Sequence, residues 1–271
     1  MIDWGLFTQT FMVHAWISGT IMAIICALVG FFVVIRGSSF VAHALPEIGF
    51  AGGAGAVLLH INPLYGLATF AVGGALLIGS LSNHEHDDVM TALIMATALG
   101  TGALFLSLSR SYASGAYALL FGQIVGISSV QVLDTVVLGI ICLVCFMVLY
   151  RPLLLTSVSR EIAEARGIPV HAVEMCFLVL VGLTAAVTVP IVGTLLCFSL
   201  LIGPNAASMC LTSNPRKVVA LSVLFSLATV WLSLILGYYT GWPIGFFVAM
   251  IGALLYGGAR LIHALCAKKY A

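Results

Sequence analysis

Nine apolar runs of about 20 residues follow one another along the chain, and no other feature constrains its folding as strongly. They cover residues 17–35, 41–60, 63–82, 89–108, 130–150, 172–189, 191–210, 217–237 and 243–263, separated by Gly, Pro, Asn or charge. A helix rises about 1.5 Å per residue, so a run of this length crosses the ~30 Å hydrocarbon core of a bilayer. Inside that core a segment must satisfy its own backbone hydrogen bonds, which selects the helix. The expected fold class is therefore all-α: a polytopic transmembrane helical bundle of eight or nine spanning helices. Composition agrees, since only 7% of the 271 residues are charged and 62% are hydrophobic, against about 25% charged in soluble domains. Ten basic and nine acidic side chains do not cover a water-soluble surface of this size. The net charge of +1, without a long basic run, gives no footing for a nucleic-acid partner.

The apolar stretch 112–128 is too short and too broken, by Gly115, Gly122 and Gln123, to span. It reads as a re-entrant or partial helix, which must be covered by protein. Arg36, Arg151, Arg160, Arg166, Arg216, Lys217, Arg260, Lys268 and Lys269 all fall on one side of the expected bundle. The positive-inside rule makes that side cytoplasmic, with the N-terminus outside, the C-terminus inside and Arg110 alone outside. An acid and no basic residue precede the first run, unlike a secretory signal, so the first helix is expected to be retained. Trp4, Trp16 and Trp242 suit an interfacial aromatic belt. Seven cysteines lie mainly in apolar runs, and the Cys142/Cys145 pair inside 136–149 reads as buried packing rather than redox or metal chemistry.

The second run begins with the most informative polar residues. Glu47 is the only carboxylate within the first three runs, and His43 lies four residues before it. A charge at membrane depth usually faces a bundle interior or a watery cavity. Ser39, His43 and Glu47 share one stripe if the segment is helical. Pro46 fits best in a helix's first turn, which leaves His43 just outside regular geometry. Imidazole, carboxylate and hydroxyl oxygens suit zinc, manganese or iron without choosing among them. The alternative is that Glu47 caps the start of the helix and His43 is a satisfied polar residue. Downstream, Gly49/Gly53 and Ala51/Gly55 give this helix two small-residue faces, so it should be central. The NHEHDD stretch at 83–88 reads as a solvated turn, His60, Asn62 and Pro63 as an external turn, and Glu174 as the cytoplasmic end of the sixth helix.

The longest charged connection, SVSREIAEARGIPVHAVE, carries a short helical pattern over 159–166 that Gly167 and Pro169 then stop. It is either a solvated loop helix or a docking helix. No GxxxxGK[ST] sequence occurs, so any ATP dependence must come from a partner.

Five segments in order give the chain a family likeness: FVAHALPEIGFAG, DDVMTALIMATALGTGALFLSL, YALLFGQIVGIS, AEARGIPVHAVE and VPIVGTLLCFSLLIGPNAAS. Along most of its length the chain resembles the metal-type permease subunits of ATP-binding-cassette importers, which take up zinc, manganese or iron in bacteria. The resemblance implies a single transmembrane permease domain, 1–271, with a cytoplasmic coupling loop at about 151–171. It implies a multi-pass protein of the bacterial plasma membrane that is not itself an enzyme and binds no cofactor. Two permease copies would enclose the ion path, an extracytoplasmic metal-binding protein would deliver the ion, and ATPase subunits would hydrolyse ATP. The coupling contact falls on Glu161, Glu164, Ala165 and Gly167. His43 matches the pathway histidine of typical members, whose aspartate four residues earlier is Ser39 here. Pro46 and Glu47 depart from the family pattern, and Glu47 supplies the missing carboxylate in this reading.

Other classes predict other features. An ion-gradient-driven transporter favours more intramembrane acids and an inverted repeat; an intramembrane enzyme needs a motif such as HExxH or GxSxG, neither of which occurs. A permease for a metal chelate or vitamin tends to be longer.

Overall fold

The computed structural model describes residues 9–81, 87–109, 119–122 and 128–270. They form ten helices: α1 Thr10–Ile35, α2 Ser39–Leu58, α3 Pro63–Leu81, α4 Asp87–Leu108, α5 Ser129–Val158, α6 Arg160–Ala165, α7 Val170–Val192, α8 Thr194–Leu211, α9 Pro215–Thr240 and α10 Ile244–Tyr270. Eight are long and apolar enough to cross a membrane. The exceptions are α6 and α8, whose apolar part, Leu196–Leu211, is shorter. The expected all-α membrane bundle is thus found, and the run at 191–210 is its short member.

Glycines in left-handed conformation set the joints that matter. At the end of α1, Gly37 takes φ +68°, where a Cβ would clash. Its N–H donates to the carbonyl of Val34 and that of Ser38 to Val33, the bond pair of a Schellman cap. The chain re-enters helix at Ser39, so only Arg36, Gly37 and Ser38 separate α1 from α2. Gly167, at φ +75°, closes α6 in the same way: its N–H donates to Glu164 and that of Ile168 to Ala163. Between α7 and α8, Gly193 at φ +95° turns the chain with no loop. The described piece of the 112–128 stretch lies against this turn. A Cβ on Gly193 would stand 2.2 Å from the Leu120 carbonyl oxygen, and one on Gly122 would stand 2.3 Å from that of Ile191.

Two boundaries depart from the expected ones. Pro46 lies inside α2 rather than in its first turn. Because the cap at Gly37 restarts the chain early, His43 sits in regular helix. α5, expected to end near 150, continues to Val158 through Arg151 and Pro152. Proline removes one helical hydrogen bond, yet Leu153 is fully buried just beyond it and anchors the last turns.

α2 is central, packing on α3, α4, α7 and α8. Apolar lipid gives no hydrophobic drive between helices, so close backbone approach carries the association. Gly49 and Gly53 face Leu67 of α3, and Gly55 faces Phe105 of α4, as the two-face pattern predicts. The nearest approach is one the pattern did not single out: Gly52 against Gly66, where a Cβ on either would stand 2.0 or 2.1 Å from the other's carbonyl oxygen. At one end of the bundle Arg36 and Arg160 both reach Glu174. Elsewhere Asn62 donates to Asp134 at 3.1 Å, tying the α2–α3 turn to the start of α5.

Candidate metal centre and docking helix

Residues 39, 43 and 47 are spaced one turn apart on α2, so their side chains line one face. That face is turned toward α8. The His43 ring meets the Phe198 ring edge-on, with centroids 5.1 Å apart. His43 and Glu47 are close enough to interact electrostatically, and Glu47 also feels Cys197 of α8. Glu47 is buried at 5% exposure, whereas His43 and Ser39 are partly buried. The structure therefore brings His43 and Glu47 together, with Ser39 one turn nearer the α1–α2 joint.

Two features set the polar atoms of this face apart. His43 Nδ1 is buried without a hydrogen-bond partner among the described residues, an unusual state for a buried nitrogen. Pro46 has no N–H to give, so the Ala42 carbonyl loses its helical partner one residue before His43. Among the described residues no three His, Cys, Asp or Glu side chains gather closely enough to hold a metal ion. His43 and Glu47 thus offer two donors, fewer than the four or more that a divalent cation takes.

Sequence reasoning took the cysteines as packing and did not connect them to this region. Cys197 lies beside Thr188 of α7, whose hydroxyl also meets the Cys26 sulfur at 3.3 Å. This puts two fully buried thiols and a threonine next to the Glu47 face. No spacing rule links positions 26, 188 and 197, because three different helices carry them.

α6 forms an exposed knob. Ser159 caps it by accepting the Ile162 N–H at 3.3 Å, and Ala163 is its one buried residue. Glu161, Glu164, Ala165 and Gly167 are all exposed, and among the described residues, its two chain neighbours aside, none lies within 4 Å of where a Gly167 Cβ would stand. Beside α6 lies a polar cluster whose pairing the sequence did not foretell. Arg36 Nη2 donates to Glu174 Oε1 at 3.2 Å, and Nη1 donates to Thr156 Oγ1 at 2.9 Å and Ser157 Oγ at 3.4 Å. Burial pushes the Arg36 pKa down, and the Glu174 carboxylate opposes that shift. The 83–88 stretch lies outside the described residues except for Asp87 and Asp88, which open α4. Trp4, Arg110, Gly115 and Gln123 lie outside them too.

Residues 8–262 match the model of a family described as the ABC 3 transport family. The manganese transport system membrane protein MntC of Listeria monocytogenes is 24% identical over 254 residues, covering 93% of this chain and 90% of that protein. The manganese import system permease protein ScaB of Streptococcus gordonii is also 24% identical, covering 93% and 91%. Among solved structures, PsaBC from Streptococcus pneumoniae in complex with Fab superposes with a TM-score of 0.85 at 23% identity, over 94% of this chain and 92% of that one. An inward-facing putative metal-chelate type ABC transporter gives 0.72 at 19%, over 96% and 89%.

Proposed function

The chain belongs to the ABC 3 transport family, and on that premise we propose that it is the membrane permease of an ATP-driven importer for a divalent transition metal ion. Manganese is the cargo best supported, because relatives over nine-tenths of the chain are named for it; zinc and iron suit the same donors. The observation that carries the reading is the His43–Glu47 pair on the central helix, in which Glu47 is the one buried carboxylate among the described residues.

In this reading residues 1–271 are one permease domain, and the basic end of the bundle faces the cytoplasm. Two copies enclose the path. A second copy supplies donors that one chain lacks, so that two imidazoles and two carboxylates, with Ser39 and the Ala42 carbonyl nearby, complete a shell for the passing ion. Glu47 stands in for the aspartate absent at Ser39. The carboxylate neutralises part of the ion's charge, which apolar surroundings otherwise penalise heavily. An extracytoplasmic metal-binding protein delivers the ion. ATP is hydrolysed on a separate subunit that docks on α6 through Glu161, Glu164, Ala165 and Gly167.

The test is uptake of manganese, zinc and iron by cells expressing the complete complex. His43→Ala and Glu47→Ala are expected to assemble and to lose most uptake. Normal transport by both variants would show that the ion does not use this face.

A further inference from the structure

We propose that Glu174 is a positioning residue that links the docking helix α6 to the joint from which α2 springs, through Arg160 on one side and Arg36 on the other. The proposal rests on the reading of α6 as the ATPase contact.

Three segments meet at the Arg36 side chain, which is only 12% exposed. Its donors hold Thr156 and Ser157 in the last turn of α5, and Glu174 near the start of α7. Those are the two roots of α6, which stands between Val158 and Val170. The guanidinium carbon also lies 5.4 Å from the centroid of the Phe177 ring. On the other side, the Glu174 oxygen that accepts from Arg36 meets Arg160 Nη1 at 3.6 Å, and Arg160 Nε pairs with Glu164 at 3.2 Å. Charges therefore alternate without a gap from the exposed Glu164 to the partly buried Arg36.

Arg36 is also where movement would enter the ion face. It closes α1, and the capped joint of Arg36, Gly37 and Ser38 leads directly to Ser39 and, one turn on, to His43. A stiff joint passes on a displacement that a loop would absorb. Room for such a displacement exists beside it: a cavity of about 400 Å³ is lined by Arg36, Ser38, Val41, Thr156 and Glu174. Shifting α6 moves Arg160 relative to Glu174, and Glu174 carries the shift to Arg36.

The test uses the full complex of permease, ATPase and binding protein in proteoliposomes, with manganese ion as the probe, reading ions transported per ATP hydrolysed. Glu174→Gln keeps the side chain's size and removes its charge. It is expected to leave ATPase association and hydrolysis in place while the transport ratio falls about tenfold, within the span of measured site-to-site couplings. Glu174→Asp keeps the charge that both Arg36 and Arg160 meet, and it should stand nearer to wild type than Glu174→Gln. A wild-type ratio in Glu174→Gln overturns the link, and so does an Asp variant as low as Glu174→Gln. Glu161→Arg separates the two readings. If it does not weaken ATPase association, α6 is not the docking site; if it does while Glu174→Gln couples normally, the link alone fails.

Discussion

Gly52→Ala places one methyl group where the backbones of α2 and α3 come closest. The new Cβ would stand 2.0 Å from the Gly66 carbonyl oxygen and 2.7 Å from the Phe70 Cβ. Carbon–oxygen contacts of this kind settle at about 3.3–3.6 Å, so the helices must part by roughly 1.3 Å. No flexible side-chain end gives way, because the obstacle is main chain. Overpacking of this sort costs roughly 1–3 kcal/mol and occasionally more, and the upper part of that range is expected here. Gly73→Ala is the matched control: it lies on α3 with nothing within 4 Å of its Cβ position. Removing a helical glycine without a clash stabilises by roughly 0.5–1 kcal/mol. The same change should therefore have opposite signs at positions 52 and 73. At about 2–4 °C for each kcal/mol, thermal unfolding of the detergent-solubilised protein, followed by the loss of its monodisperse elution peak, should separate the two by several degrees. Gly52→Ala with wild-type thermal stability would refute the argument that this backbone approach holds α2 in place. A fall at Gly73 as large as at Gly52 would refute it equally.

Further outcomes follow from the joints and the ion face. Gly167→Ala forces a Cβ into the left-handed region, at a cost of roughly 1–2 kcal/mol; with open space around it, the damage should appear as weaker ATPase association in co-purification, with the bundle's melting temperature nearly unchanged. Asn62→Ala removes both its bond to Asp134 and the side-chain oxygen that accepts the Leu64 N–H at 3.0 Å; at about 1 kcal/mol for each net hydrogen bond, a loss of roughly 2 kcal/mol should be measurable by the same melting assay. Glu47→Gln keeps shape and removes charge, so metal uptake should fall nearly as far as in Glu47→Ala; uptake near wild type would mean that the carboxylate's charge is not used.

The long helices were legible because one physical rule governs them: an apolar run of sufficient length has nowhere else to go. Their ends were harder. The fifth run ends at 150 by composition, yet the burial of Leu153 outweighs the hydrogen bond lost at Pro152 and α5 continues. Pro46 reads as a first-turn residue, yet the cap at Gly37 starts α2 earlier and carries His43 into the helix. The stripe of 39, 43 and 47 was legible from spacing alone. Its neighbours were not, because Cys197 and Phe198 reach it from α8, far along the chain. The pairing of Arg36 with Glu174 escaped notice for the same reason. Each looks like an ordinary helix-end charge until tertiary packing sets them 3.2 Å apart.

The smallness of α6 carries a consequence for how such a machine is put together. Six residues, one buried side chain, two caps and the Arg160–Glu174 pair hold it to the bundle, and none of its exposed residues packs against α2. Under the proposed function, the choice of motor and the choice of ion are therefore written in separate parts of the chain. Exchanging residues 160–167 for those of a relative should redirect which ATPase the permease accepts while its cargo stays the same.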